Sequence, residues 1–115
     1  MELDKGLVSG SIALLVMKLL EDGDLYGYQM IEELRQRSDD TFRLRAGTLY
    51  PLLHSLEEKG CVTAYEQTAK NGKNRRYYHL TEQGRGVLAG KEAAWNTYAK
   101  AVTQVLKGGA NLAGA

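Results

Sequence analysis

Residues 45–60 read Arg45-Ala46-Gly47-Thr48-Leu49-Tyr50-Pro51-Leu52-Leu53-His54-Ser55-Leu56-Glu57-Glu58-Lys59-Gly60, and this stretch decides the fold. Leu49, Leu52, Leu53 and Leu56 recur at i, i+3, i+4 and i+7, the spacing that lays one apolar stripe along a helix. At about 100° per residue, Gly47, Pro51, His54 and Ser55 fall on the other side, which holds no large aliphatic residue and no acid before Glu58. A short helix buried on one face, and small and polar on the other, is suited to entering a groove of double-stranded DNA. Proline is tolerated in a first helical turn, where its missing N–H has no intrahelical partner. The helix is therefore expected to begin between Ala46 and Thr48, with Thr48 as its cap. That start sets free N–H groups and the positive end of the helix dipole beside Thr48 and Tyr50, where a phosphate is favoured. Gly60 closes the helix.

Beyond Gly60 the period changes to two. Val62-Thr63-Ala64-Tyr65 and Arg76-Tyr77-Tyr78-His79-Leu80 are rich in β-branched and aromatic residues, and Lys70-Asn71-Gly72-Lys73 lies between them. Asn-Gly predicts a two-residue type I′ turn with positive φ at both central residues. Lys70 and Lys73 then flank the tip of a hairpin, Arg75 and Arg76 lie on its return strand, and Tyr77, Tyr78 and Leu80 hold it to the core. A cationic tip beside a polar recognition helix describes a wing placed against a DNA backbone.

Upstream, Ile12 to Leu20 is apolar around most of the helix, which predicts a largely buried first helix stopping near Gly23. Asp24 is expected to cap the second helix, whose stripe is Gly27, Met30, Ile31 and Leu34. Ser38-Asp39-Asp40 is a polar break, and Phe42-Arg43-Leu44 predicts a brief strand or turn. Downstream, Thr81 followed by Glu82 and Gln83 caps a last helix. Gly84, Gly86 and Gly90 cost it about 1 kcal/mol each relative to alanine, in exchange for close packing on the domain. Leu88, Trp95 and Val102 recur every seven residues, as do Tyr98 and Val105, with Lys91 interrupting the seam. Such a seam on a terminal helix calls for a partner helix. The fold class is thus mainly α with a β-hairpin: a winged helix-turn-helix over 1–80 (recognition helix about 46–59, wing about 61–80), a C-terminal dimerisation helix over 81–107, and a flexible tail over 108–115.

A chain of 115 residues makes one domain. Its net charge of +1 conceals segregation: residues 1–34 hold seven acids against two lysines, whereas 67–80 hold Lys70, Lys73, Arg75 and Arg76 and no acid. Arg35, Arg37, Arg43 and Arg45 precede the recognition helix. Phosphate binding depends on charge within a Debye length, so the distribution matters more than the total. One cysteine, Cys61, excludes an internal disulfide and fits a reducing compartment. No apolar run is long enough to span a membrane, and the N-terminus lacks the features of a secretion signal, so a cytoplasmic location is expected. His54, His79 and Cys61 are not at metal-ligand spacing, and no metal is expected. There is no Gly-rich phosphate loop, nucleophile elbow or paired-carboxylate arrangement, and Glu57-Glu58 reads as surface charge. The chain is not expected to be an enzyme or to need a cofactor.

Three motifs in order carry a family resemblance. Tyr26-Gly27-Tyr28, Gly47-Thr48-Leu49-Tyr50-Pro51-Leu52-Leu53 and Arg76-Tyr77-Tyr78-His79-Leu80-Thr81 resemble the PadR family of bacterial transcriptional regulators, over roughly residues 8 to 106. The short length, with one helix after the wing, is similar to the compact subfamily that includes multidrug-responsive repressors. The resemblance implies a homodimer with crossed C-terminal helices, bound to a pseudo-palindromic operator and released by a small molecule. The residues expected at DNA are Tyr26, Arg45, Thr48, Tyr50, Pro51, His54, Ser55, Lys70, Lys73, Arg75 and Arg76, with Tyr26 and Tyr28 as packing and phosphate anchors. The dimer contact is expected from Leu88, Trp95, Tyr98, Val102, Val105 and Leu106. In some compact members a planar aromatic molecule lies between the C-terminal helices, sandwiched by tryptophans. Trp95 holds that place here, with Leu88 and Tyr98 nearby. Asn96-Thr97-Tyr98-Ala99 offers no acid to a cationic ligand, and Glu92 one turn earlier would have to supply it. Trp95 as plain interface packing is the other reading. A protein-interaction module without ligand sensing is the alternative function, with the basic patch meeting an acidic partner.

Overall fold

The leucine stripe at residues 49–56 is the centre around which the other elements pack. The structure, a computed structural model, describes residues 5–113, with the side chains of residues 10–108. The elements are α1 (Lys5–Glu21), β1 (Leu25–Tyr26), α2 (Gly27–Arg37), α3 (Ala46–Glu58), β2 (Val62–Thr68), β3 (Asn74–Leu80) and α4 (Glu82–Ala113). The three strands form one antiparallel sheet in the order β1-β3-β2. Three helices and this sheet make a winged helix-turn-helix, from which α4 extends. Its core combines Val16, Met17 and Leu20 of α1, Met30 and Leu34 of α2, Leu49, Leu53 and Leu56 of α3, and Val62, Tyr78 and Leu80 of the hairpin. Each such aliphatic side chain contributes roughly 1.5–3 kcal/mol by leaving water.

The sheet has one strand more than a hairpin. Leu25 pairs with Tyr78 and Tyr26 with Tyr77. Two residues are too few to show a period in sequence, and their pairing holds the chain extended up to Tyr26. Asp24 consequently lies two residues too early to cap α2. Tyr26 is the N-cap, and its own N–H donates to Gln29 Oε1 at 3.0 Å. Asp24 instead staples the sheet: Tyr65 Oη donates to its Oδ2 at 2.7 Å, and His79 Nδ1 lies 2.8 Å from Oδ1. Partial burial pushes the Asp24 carboxyl up, but hydrogen bonds from Tyr65 and His79 outweigh it and hold the group below its ordinary 3.8. A carboxyl depressed on folding adds stability above its unfolded value and loses it as the pH falls through the folded value. Asp24→Asn should therefore lower the melting temperature near neutrality, with the gap to wild type closing only once the pH is below 3.8. A gap that stayed constant into acid would mean that the ionised staple contributes nothing.

The wing turn differs from the sequence expectation. Only Gly72 has positive φ in this loop, at 83°. Gly72 N–H donates to Ala69 O at 2.9 Å and Ala69 N–H to Lys73 O at 2.7 Å. This is a three-residue loop closed by a left-handed glycine, not a two-residue type I′ turn. In a three-residue loop only the last residue needs positive φ, so Asn71 does not adopt it, and its side chain accepts from Lys73 N–H at 3.1 Å. Between α2 and α3, Phe42-Arg43-Leu44 forms no strand. The left-handed residues there are Asp39 and Asp40, and Asp40 is held by ion pairs to Arg35 and Arg43.

Thr81 caps α4 as its sequence position implies. Its hydroxyl accepts from Gly84 N–H at 2.9 Å and donates to Gly60 O at 2.6 Å, joining the start of α4 to the end of α3. Of the three early glycines only Gly84 serves close packing, because a Cβ there would lie 2.1 Å from Cys61 O. Gly86 and Gly90 face open space, contrary to expectation. The helix also continues through Gly108-Gly109, where its end was expected, to Ala113. Glycine weakens a helix by about 1 kcal/mol without stopping it, and alanine and leucine follow. Of the expected tail, 114–115 lie outside the described residues.

Candidate nucleic-acid interface

Helix α3 divides as its spacing requires. Leu49, Leu53 and Leu56 are buried, while Gly47, Thr48, Pro51 and His54 are exposed; Ser55 is half-buried at the edge. The helix starts at Ala46, within the expected range, but its cap lies three residues ahead of Thr48. Arg45 is the N-cap, and its carbonyl accepts from Thr48 N–H at 3.0 Å and Leu49 N–H at 2.9 Å. Thr48 is thus inside the first turn, and Pro51 falls in the second, not the first. There Pro51 removes a helical hydrogen bond to the Gly47 carbonyl, which is tolerable because both residues face solvent. His54 Nε2 lies 2.8 Å from Glu58 Oε1 on the same open face.

Tyr50 is half-exposed and has a seat that sequence spacing did not reveal. A Cβ at Gly27 would lie 2.2 Å from Tyr50 Oη and 2.7 Å from Cζ, so the ring rests directly on the first residue of α2. Gly27 and Tyr50 both occur in the quoted motifs, but only the fold joins them. Gly27→Ala must swing Tyr50 off this seat, at an expected cost of about 1–2 kcal/mol in stability. In a Tyr50→Leu background that cost should vanish, which a double-mutant cycle by denaturant unfolding would measure. Simple additivity would show that the ring does not set the α2–α3 contact.

The four wing cations are not equivalent. Lys70 and Lys73 are exposed at the tip, but strand alternation puts Arg75 and Arg76 on opposite faces. Arg76 lies over the Tyr78 ring and 3.5 Å from Glu57, tying the wing to α3. Arg75 lies 5.1 Å over Tyr26, whose ring meets Tyr77 edge-on at 5.4 Å; Tyr77 in turn stacks on Tyr65 at 5.7 Å. Among the described residues Arg75 Nε is a buried polar atom without a hydrogen-bond partner. Ahead of α3 the basic surface is smaller than the sequence implied. Arg35 pairs with Glu32 and Asp40, Arg37 with Glu33 and Asp22, and Arg43 with Asp40. Arg45 remains exposed at the head of the helix.

On α4, Leu88 leaves the expected interface and ligand set: it is 1% exposed, buried in the core of its own chain. Trp95, Tyr98, Val102, Val105 and Leu106 are exposed, from 37% at Val102 to 79% at Leu106. Trp95 and Tyr98 meet edge-on at 6.4 Å. Trp95 also lines a shallow groove of about 280 Å³ with Leu14, Leu15, Lys18, Glu92 and Asn96. Lys18 lies 2.8 Å from Glu21 and 3.0 Å from Glu92. Hydrogen bonds to Glu21 and then Glu92 raise the Lys18 pKa, so the ammonium keeps its charge. Glu92 thus shares the single Lys18 ammonium with Glu21, and the three groups together carry a net charge of −1 beside the groove. Leu14 and Leu15 were hidden in the apolar run of α1, whose surplus face is the groove wall.

Among the described residues no three His, Cys, Asp or Glu side chains are grouped to hold a metal ion, and no helix is long and apolar enough to cross a membrane. The profile of the transcriptional regulator PadR-like family matches residues 16–90. The chain is 32% identical over 104 residues to the transcriptional regulator Rv3488 of Mycobacterium tuberculosis, spanning 90% of this chain and 91% of that protein. It superposes on a solved PadR family transcriptional regulator from Eggerthella lenta with a TM-score of 0.76 and 30% identity, over 89% of this chain and 87% of that one. A transcriptional regulator from Clostridium thermocellum gives a TM-score of 0.79 and 26% identity, over 87% and 97% of the two chains.

Proposed function

The chain belongs to the PadR-like family of transcriptional regulators, and from that membership we propose that it acts as a homodimeric repressor whose two α3 helices read the half-sites of a pseudo-palindromic operator. DNA binding and regulation, rather than catalysis, are the business of the family. The observation that carries the dimer is the exposed row Trp95, Tyr98, Val102, Val105 and Leu106 on α4. A contiguous apolar ridge of this kind marks an interaction surface, and a second α4 covers it with the same residues. In the complex Thr48, His54 and Ser55 offer hydrogen bonds to base edges, and Pro51 offers an apolar contact. Tyr26, Arg45 and Tyr50 meet the backbone near the helix starts, with Lys70, Lys73 and Arg75 on flanking phosphates. So few side-chain readers leave half-site spacing to supply much of the selectivity.

Release follows from a planar aromatic molecule lying against Trp95 in the groove beside α1. Such a molecule shifts the dimer toward a half-site spacing unsuited to the operator, by no more than its difference in affinity for the two spacings. Sedimentation should give a dimer, and binding to inverted-repeat DNA should weaken steeply with salt yet survive competitor DNA. A monomer, or binding without site preference, would return the chain to the interaction-module reading. Trp95 is the one tryptophan, so its fluorescence reports this place alone. Saturable quenching by an aromatic ligand that weakens when operator is bound is the expected result, since linkage is reciprocal. A flat response from a DNA-binding dimer would leave Trp95 as interface packing.

A further inference from the structure

Gly47 and Pro51 lie four residues apart on the exposed face of α3. They therefore occupy the acceptor and donor positions of one α-helical hydrogen bond. Proline has no N–H to give, so the Gly47 carbonyl lacks its partner on the next turn. No other element of the domain crowds Gly47 from its Cα side: a Cβ built there would meet nothing within 4 Å. Glycine adds no side chain to cover its own backbone, so an approaching groove reaches the main chain at this point. We propose that the Gly47 carbonyl, freed by Pro51, accepts a hydrogen bond from the exocyclic amino group of a base, so that α3 selects adenine or cytosine at one position of each half-site.

The inference rests on the operator reading above and gives it a specific main-chain reader. In the major groove only adenine N6 and cytosine N4 present amino donors, so a lone acceptor discriminates those bases from guanine and thymine. The helix needs such a reader. From Ala46 to Glu58 it contains no Asn or Gln, the side chains that pair with adenine. Its acids are Glu57 and Glu58, which already face Arg76 and His54. A carbonyl brought into the groove without a donor would be penalised, which makes the discrimination two-sided.

The test selects sites from a randomised inverted repeat with wild type and with Pro51→Val, which restores the N–H while keeping an apolar side chain of similar size. Wild type should enrich adenine or cytosine at one position per half-site, and Pro51→Val should lose that preference, read as relative enrichment so that any change in overall affinity from Pro51's own apolar contact does not enter. Pro51→Ala, with the same N–H on the best helix former, should behave likewise, so the result does not hang on valine's effect on folding. At the selected position, adenine is then exchanged for purine without N6, or cytosine for 2-pyrimidinone without N4. Wild type should lose about fivefold in affinity per half-site, and the variants less than twofold. Equal losses in wild type and variants, or an unchanged preference in both variants, would overturn the assignment while leaving the operator reading intact. No site selection by wild type would instead overturn the operator reading, and this inference with it.

Discussion

Gly84→Ala is expected to destabilise the domain by about 3 kcal/mol, the upper end of what overpacking costs. On helix propensity alone the change should stabilise α4 by about 1 kcal/mol. The added Cβ, however, would lie 2.1 Å from the Cys61 carbonyl oxygen and 2.7 Å from Leu80 Cδ1. The first of these is backbone at the end of α3, already fixed by Thr81 N–H at 3.0 Å, and it cannot swing aside like a side-chain tip. Steric overlap therefore wins, and a fall of roughly 10–20 °C in melting temperature should follow for a domain of this size. Gly86→Ala and Gly90→Ala provide the internal contrast, since a Cβ at either meets nothing within 4 Å. Both should raise the melting temperature through propensity and reduced freedom of the unfolded chain. If all three substitutions moved it in the same direction, the close approach at Gly84 would be wrong.

The second large effect concerns DNA. Replacing both Lys70 and Lys73 by alanine should weaken binding to every sequence and flatten the dependence of log K on log salt. Each lysine that meets a phosphate contributes about 0.9 to the slope, so a dimer losing four such contacts should lose about 3–4 units. Arg76→Ala should change the slope less, because its guanidinium already lies beside Glu57 and over Tyr78. Its loss loosens the wing from α3 more than it removes a free positive charge. Fluorescence anisotropy across a salt series separates these cases. A slope unaltered by the double replacement would mean that the tip never reaches the backbone.

The parts legible in the sequence are those fixed by local periodicity. The stripe of α3, the buried α1, the two long wing strands and the Thr81 cap need only near neighbours in the chain. What escaped depends on distant partners. β1 exists because Leu25 and Tyr26 find Tyr78 and Tyr77 some fifty residues later, and that pairing takes Asp24 away from α2. Leu88 carries the seven-residue spacing of an outward seam, yet it is buried in the core of its own chain. Charge counting overstated the basic surface for a local reason instead: Arg35, Arg37 and Arg43 meet acids within a few residues in the chain, and only the Arg37–Asp22 pair is brought together by the fold. Pro51 was placed in a first turn by a sound local rule, and an exposed second turn satisfies the solvation that underlies that rule equally well.

One mechanical consequence comes from the joint at the base of α4. Thr81 binds the end of α3 through Gly60 O, and Gly84 sits hard against Cys61, so the long helix meets the reading head without a hinge. From Leu88 to Leu106 it runs about 27 Å at 1.5 Å per residue. A tilt of about 10° at the far end thus becomes a displacement of roughly 5 Å, more than the rise of one base pair, about 3.4 Å. On the operator reading proposed above, the helix would work as a rigid crank: its outer half would need to turn only slightly to carry α3 out of step with the DNA.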